Sequence, residues 1–396
     1  MCSSQSRSVQ IRPWLSNRIV WFPAALEFDF WFQRNLFSIF APLLILDLRL
    51  TYTGIGIVES GVLATSAIGY VAAGYFVRES NISKAFKISL LLVVAASALS
   101  SLSGDLSQLL VFQSIQGFAE GALFVGFVVL IADLKVNDRS RAYGAYESCG
   151  NLGWLLALSS GGFLGVLLGW RWSYFLLSLP ILALLPFKIV KRTQSDDRGR
   201  EVINKLDFLK LLDFWLIALP VTLFLTNWYS VWTFAPSFLV TRGFSIEQAG
   251  LTSGLAVAFS VPAPFVIGLL ISRTKPIRLA VSLLMLTTVA QVLLPLSVGK
   301  LSIATLLVLI CILQASTSPI LFVFLSELVS NLSLPAVSGW SIAIGYGVAV
   351  LGPVIFGKIA DRVSFLASFG LFAILNVICV IVMFSNLKRK SNLTLH

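Results

Sequence analysis

The residues of this chain best suited to chemistry are a few charged and amide side chains set inside long apolar stretches. The sequence is 57% hydrophobic and only 12% charged, so an ionisable group at membrane depth stands out. Arg34 lies in the stretch 22–46, Glu120 in 108–132 and Glu147 in 143–167. A charge inside a bilayer is costly, and by default it marks a functional site with a partner. Gln113, Gln116 and Glu120 fall at i, i+3 and i+7, so they share one helical face. Arginine offers a planar fork of donors that meets a carboxylate or phosphate at two points. A carboxyl group's hold on its proton depends on desolvation and on nearby charge. An arginine–carboxylate set in an apolar cavity can therefore bind an anion and exchange a proton in the same place. Spacing alone leaves open whether Arg34 meets a substrate or serves as structural partner to Glu120 or Glu27.

Other polar residues carry two readings each. Asn227 and Tyr229, with Gln291 and Gln314, are ligand contacts or interhelical hydrogen bonds, the latter being the default. Glu147 and Asn151 are one turn apart and suit a cavity role or a helix contact. Glu27 and Asp29 read as acids that snorkel to the interface or pair with Arg18, and Glu59 reads as wetted at the outer start of its span. Trp21 and Phe22 fit an interfacial aromatic belt, while Phe28, Phe30, Trp31 and Phe32 have no single reading.

Long apolar helices must position these groups. Stretches of about 20 residues, enough to cross the hydrocarbon core, fall at 22–46, 57–77, 86–104, 108–132, 143–167 and 172–189. Six more follow at 213–238, 248–271, 277–297, 301–326, 336–357 and 364–386. Phe40-Ala41-Pro42, Gly56 and Gly74 recur as Phe234-Ala235-Pro236, Gly250 and Gly268, 194 residues on. Gly144 and Gly150 answer to Gly339 and Gly345 at an interval of 195. The matches are few, but glycine and proline fix backbone shape and helix contact. The expected fold is thus an all-α integral membrane protein of twelve transmembrane helices in two pseudo-symmetric six-helix halves. Residues 1–190 and 212–396 form the halves, and 191–211 a charged cytoplasmic linker. Such two-fold chains place a substrate site near the midplane between the halves.

Charge sets the expected orientation. Most of the 29 Lys and Arg fall in the segments that lie inside if the N-terminus is cytoplasmic, among them Lys135, Arg139, Lys191 and Arg192. By the positive-inside rule both termini are cytoplasmic. The net charge of +11 then reports topology and not a nucleic-acid footprint, since the cations are spread over short loops. The polar first 20 residues lack the apolar core of a cleavable signal peptide. Cys2, Cys149, Cys311 and Cys379 are far apart, and His396 is the one histidine, so neither a disulfide framework nor a metal cluster is implied.

Several motifs bring a resemblance. Gly74-Tyr75-Phe76-Val77-Arg78-Glu79, Asp138-Arg139-Ser140-Arg141 and Gly169-Trp170-Arg171-Trp172 are similar to loop signatures of the major facilitator superfamily. Within it the chain most resembles the anion:cation symporter branch. The likeness rests on Gln33-Arg34-Asn35-Leu36-Phe37-Ser38 before Ala41-Pro42, on Gln113-Ser114-Ile115-Gln116-Gly117-Phe118-Ala119-Glu120-Gly121, and on Phe234-Ala235-Pro236-Ser237 before Gly243-Phe244-Ser245. Gln33 stands where that branch carries aspartate, and Gln113 where it carries arginine. Against that pattern one charge of each sign is lost, which preserves the balance and leaves Arg34 and Glu120 as a charge-neutral set. The resemblance implies site roles for Gln33, Arg34, Gln113 and Glu120; with the polar residues at membrane depth added, the expected substrate contacts are Arg34, Gln33, Gln113, Gln116, Asn227 and Tyr229, and the expected proton-coupling residues Glu120 and Glu147.

The expected protein is a proton-coupled secondary transporter of a small solute, with an organic anion favoured, in the plasma or inner membrane. An exporter of amphipathic compounds and a non-transporting membrane sensor are the alternatives. No nucleophile–base arrangement, metal-ligand cluster or phosphate-binding Gly-rich loop is visible. An enzyme is therefore not expected, and neither is a cofactor. The expected partners are the solute, protons and the lipid bilayer, with no nucleic acid and a monomeric state.

Overall fold

The computed structural model describes residues 18–76, 82–132, 136–186, 212–271, 276–329 and 344–393, and every regular element among them is helical. Helices satisfy all their backbone polar groups internally, which a lipid environment demands. The first group comprises α1 (Arg18–Asp47), α2 (Tyr52–Phe76), α3 (Ile82–Ser101), α4 (Leu106–Ala132), α5 (Val136–Leu167) and α6 (Gly169–Ser178). The second comprises α7 (Leu212–Thr241), α8 (Ile246–Ser260), α9 (Ala263–Ile271), α10 (Pro276–Leu293), α11 (Lys300–Val329), α12 (Leu351–Arg362) and α13 (Phe365–Leu393). Among the described residues, 8 helical stretches are long and apolar enough to cross a membrane. The chain is a multi-pass membrane protein. The linker at 191–211, together with Arg78, Glu79 and the Gly339 repeat position, lies outside the described residues.

Proline explains two departures from the apolar stretches. The stretch 172–189 is not one helix, because α6 ends at Ser178 and a 3-10 turn over Leu179–Leu184 follows with Pro180 at its start. The stretch 248–271 breaks between α8 and α9 at Val261-Pro262. Proline has no N–H to continue the ladder. By contrast α7 runs on through Pro220 and Pro236.

Helix α2 lies along α4 and α12, and α5 lies along α1 and α8. The α2–α12 and α5–α8 contacts are backbone-close near one end of the bundle. A Cβ at Gly56 would overlap the Pro353 carbonyl, and one at Gly250 the Leu158 carbonyl. Small residues permit this approach, as membrane interfaces commonly require. At the same end Asp361 of α12 accepts from the backbone N–H of Tyr52 (2.9 Å) and Thr53 (2.7 Å), capping α2. Arg171 ties three helices there: it donates to the carbonyls of Ser101 (3.0 Å) and Ser103 (2.7 Å) and to Asp47 (3.0 Å). The bundle is thus pinned shut at one end, and the polar residues at mid-depth lie beneath that seal.

Candidate functional site

The site is built on one face each of α1 and α7. Trp31, Arg34, Asn35 and Ser38 stand at i, i+3, i+4 and i+7 of α1, and Trp228, Tyr229, Trp232 and Thr233 share a face of α7. With Glu59 of α2 these residues line a cavity of about 10 Å³, room for roughly one water molecule. An organic solute enters only if the facing side chains part.

Arg34 is the hub. Its Nη2 donates to Glu59 Oε1 at 2.8 Å, and its Nη1 stands 3.6 Å from Glu120 Oε2. The guanidinium carbon lies 4.7 Å from the centre of the Tyr229 ring. Glu59 is 2% exposed and Glu120 1%, so both acids are withdrawn from solvent. This overturns the expectation that Glu59 is wetted, and it replaces the two-member neutral set by one cation facing two carboxyl groups. The contact to Glu120 is incomplete, since neither Arg34 Nη1 nor Glu120 Oε2 has a hydrogen-bond partner among the described residues.

The shared face of α4 forms a chain of side chains behind Glu120. Gln116 Nε2 donates to Glu120 Oε1 (2.9 Å), and Gln113 Nε2 donates to Ser100 Oγ (2.9 Å) and Gln116 Oε1 (3.3 Å). Gln33 turns away from the cavity, donating to the Leu177 carbonyl (3.0 Å) and to Asp29 Oδ1 (3.4 Å). Glu27 and Asp29 do not snorkel outward: both are buried, and Glu27 accepts from the Trp31 indole at 2.7 Å. The Arg18 side chain lies outside the described residues.

Asn227 belongs to a second buried cluster between α7, α10, α11 and α13. Its Nδ2 donates to Gln291 Oε1 (3.2 Å) and the Phe372 carbonyl (2.6 Å), and its Oδ1 accepts from Gln314 Nε2 (3.0 Å). Asn376 Nδ2 adds a bond to Gln291 Oε1 (3.3 Å), and Trp232 Nε1 one to Gln314 Oε1 (2.8 Å). Of the sequence-derived candidates, Arg34 and Tyr229 line the cavity, and Glu120, Gln116 and Gln113 trail from Arg34. Asn227 and Gln33 point elsewhere, and Glu147 is partly buried on α5, away from the lining. The sequence reading missed Glu59, Trp228 and Trp232, and the α1 spacing from Trp31 to Ser38 is the signal that would have framed the cavity.

Among the described residues no three His, Cys, Asp or Glu side chains group as metal ligands.

A profile described as Major Facilitator Superfamily matches residues 24–339. Two curated proteins match over part of the chain. The multidrug transporter protein MdtP of Bacillus subtilis is 23% identical over 177 residues, 44% of this chain and 32% of its own length. An MFS-type efflux pump of Mycolicibacterium smegmatis is 30% identical over 151 residues, 36% of this chain and 35% of its own. The chain thus spans about a third of the length of the curated relatives it matches. Solved structures align along nearly all of it. A bacterial homolog of the human lysosomal transporter Spinster, inward-facing and occupied, superposes with TM-score 0.75 at 17% identity, covering 92% of this chain and 95% of the other. A D-xylose-proton symporter gives 0.74 at 16% identity, covering 92% and 96%. At these identities the likeness is one of fold.

Proposed function

Since the chain belongs to the Major Facilitator Superfamily, we propose that it is a secondary active transporter moving a small organic anion by alternating access, coupled to protons, and that it is not an enzyme. The observation that carries this reading is the incomplete charged cluster at Arg34. One guanidinium faces two buried carboxyl groups, so beside Glu59 it balances one further negative charge at a time, either ionised Glu120 or a bound anion with Glu120 protonated. Glu59 has the short bond, which leaves Glu120 as the acid that exchanges its proton with least disruption. When Glu120 is protonated, Arg34 Nη1 is free to meet an incoming anion. When the anion leaves, Glu120 can release its proton and take back the charge. Anion and proton are thereby bound to the same cycle.

The bundle's architecture supports alternating access. The α2–α12 and α5–α8 contacts close one end above the cavity, and the 194-residue repeat supports two six-helix halves, 1–190 and 212–396, joined by 191–211. The distribution of basic residues supports cytoplasmic termini. The likeness of the α1, α4 and α7 segments to the anion:cation symporter branch supports an anionic solute. A second reading, export of amphipathic compounds, is favoured by the tryptophans that line the cavity.

Thermal unfolding of the purified protein against carboxylates, sugar acids and phosphates tests the proposal. A ligand at about 100 times its Kd stabilises by about 2.7 kcal/mol. Arg34→Gln should abolish the shift for every anion, and Arg34→Lys should weaken it strongly, because an ammonium cannot reproduce the two-point fork. Folded Arg34→Gln protein that binds the same anions as the parent would show the anion reading to be wrong.

A further inference from the structure

The charged groups occupy only part of the cavity wall. The rest is indole, from Trp31 of α1 and Trp228 and Trp232 of α7. Two of these indoles have their polar edge committed to the protein. Trp31 Nε1 donates to Glu27 at 2.7 Å, and Trp232 Nε1 to Gln314 at 2.8 Å. What those two rings retain for a guest is their π surface. Trp154 of α5 holds them from behind: it stacks on Trp31 (centroids 5.8 Å apart, planes at 28°) and meets Trp232 edge-on at 5.0 Å and 87°. Trp154 also touches Trp228 at 5.3 Å, and Trp228 stands 6.3 Å from Trp232. Trp31 and Trp228 are only partly buried, while Trp154 and Trp232 are fully packed. The first two therefore have surface to give, and the second two fix the frame.

We propose that the solute carries a flat aromatic ring beside its anionic group, and that Trp31 and Trp228, held by Trp232 and Trp154, recognise that ring. The inference rests on the Arg34 reading for the anionic end. Trp31 stands three residues from Arg34 on α1, about 4.5 Å along the axis, the reach of a short aromatic acid. A ring inserted between Trp31 and Trp228 gains offset or edge contact with both indoles, the geometries aromatic pairs prefer. A saturated ring of the same size and charge fills the space without that gain.

Three probes separate the parts of this claim: benzoate, cyclohexanecarboxylate and benzamide, titrated calorimetrically into the full-length protein in detergent, with indole fluorescence followed in parallel. Benzoate should bind roughly threefold to tenfold tighter than cyclohexanecarboxylate and change the indole emission. That preference should collapse in Trp228→Leu and persist in Trp228→Phe, which keeps a ring at the position. Equal binding of the two acids by the parent protein would overturn the inference while leaving the anion reading in place. Failure of both acids to bind at millimolar concentration would overturn it too, as would a preference that survives in Trp228→Leu. Benzamide binding as tightly as benzoate would support ring recognition and overturn the role given to Arg34. The parent comparison needs no variant, so a poorly folded Trp228→Leu does not weaken the test.

Discussion

Two polar clusters lie buried in this protein, and they are built alike but finished differently. One joins α1, α2 and α4 through Arg34, Glu59, Glu120 and Gln116, and the other joins α7, α10, α11 and α13 through Asn227, Gln291, Gln314 and Asn376. Glu120 of the first and Gln314 of the second stand 194 residues apart, the interval of the sequence repeat. In the second cluster every member is an amide, and none has an unpartnered buried atom. In the first, Arg34 Nη1 and Glu120 Oε2 are buried without a hydrogen bond. A satisfied buried network rigidifies its surroundings, and an unsatisfied one stores a cost. The amide cluster therefore reads as a clasp and the charged cluster as a working site.

Variants can break or sharpen this contrast. The largest effect belongs to Arg34→Gln, which leaves Glu59 and Glu120 buried without their cation. Losing one partner of a buried pair costs about 3–5 kcal/mol, so transport should vanish and the melting temperature should drop. Gln314→Glu comes next, placing a carboxylate at the amide position that answers to Glu120. With no cation among the cluster's described members, the variant should melt well below the parent, whereas Glu120→Gln should not. A Gln314→Glu protein as stable as the parent would erase the distinction between the clusters. Glu59→Gln should have the smallest effect on folding, because Arg34 keeps Glu120 as counter-ion. It frees Nη2 as a donor, so anion binding by calorimetry should persist or tighten. Loss of binding in a folded Glu59→Gln protein would mean that Glu59, and not Arg34, contacts the solute.

Much of the charged cluster was legible from spacing. The face Gln113–Gln116–Glu120 follows from helical periodicity, and the structure joins those three side chains in order. Arg34 was legible as a cation inside an apolar stretch. Glu59 was not, because the apolar stretch begins at 57 while the helix begins at Tyr52, started by the cap from Asp361. The acid that looked terminal is two turns inside α2. Asn227 misled for a related reason. It adjoins Trp228 and Tyr229 in sequence, but consecutive helical residues diverge by about 100°, and Asn227 faces α10, α11 and α13 instead of the cavity. The breaks at Pro180 and Pro262 were hidden because hydropathy averages over proline and backbone geometry does not.

The central claim is that Glu120 exchanges the proton that couples transport, and one measurement tests it most directly. Glu120→Gln protein reconstituted into vesicles is loaded with substrate on both sides, or given an imposed pH gradient with substrate outside. The glutamine mimics a permanently protonated acid and still accepts from Gln116. The account predicts that substrate exchange continues while accumulation driven by the pH gradient is abolished. Gradient-driven accumulation that persists at the parent rate would contradict it.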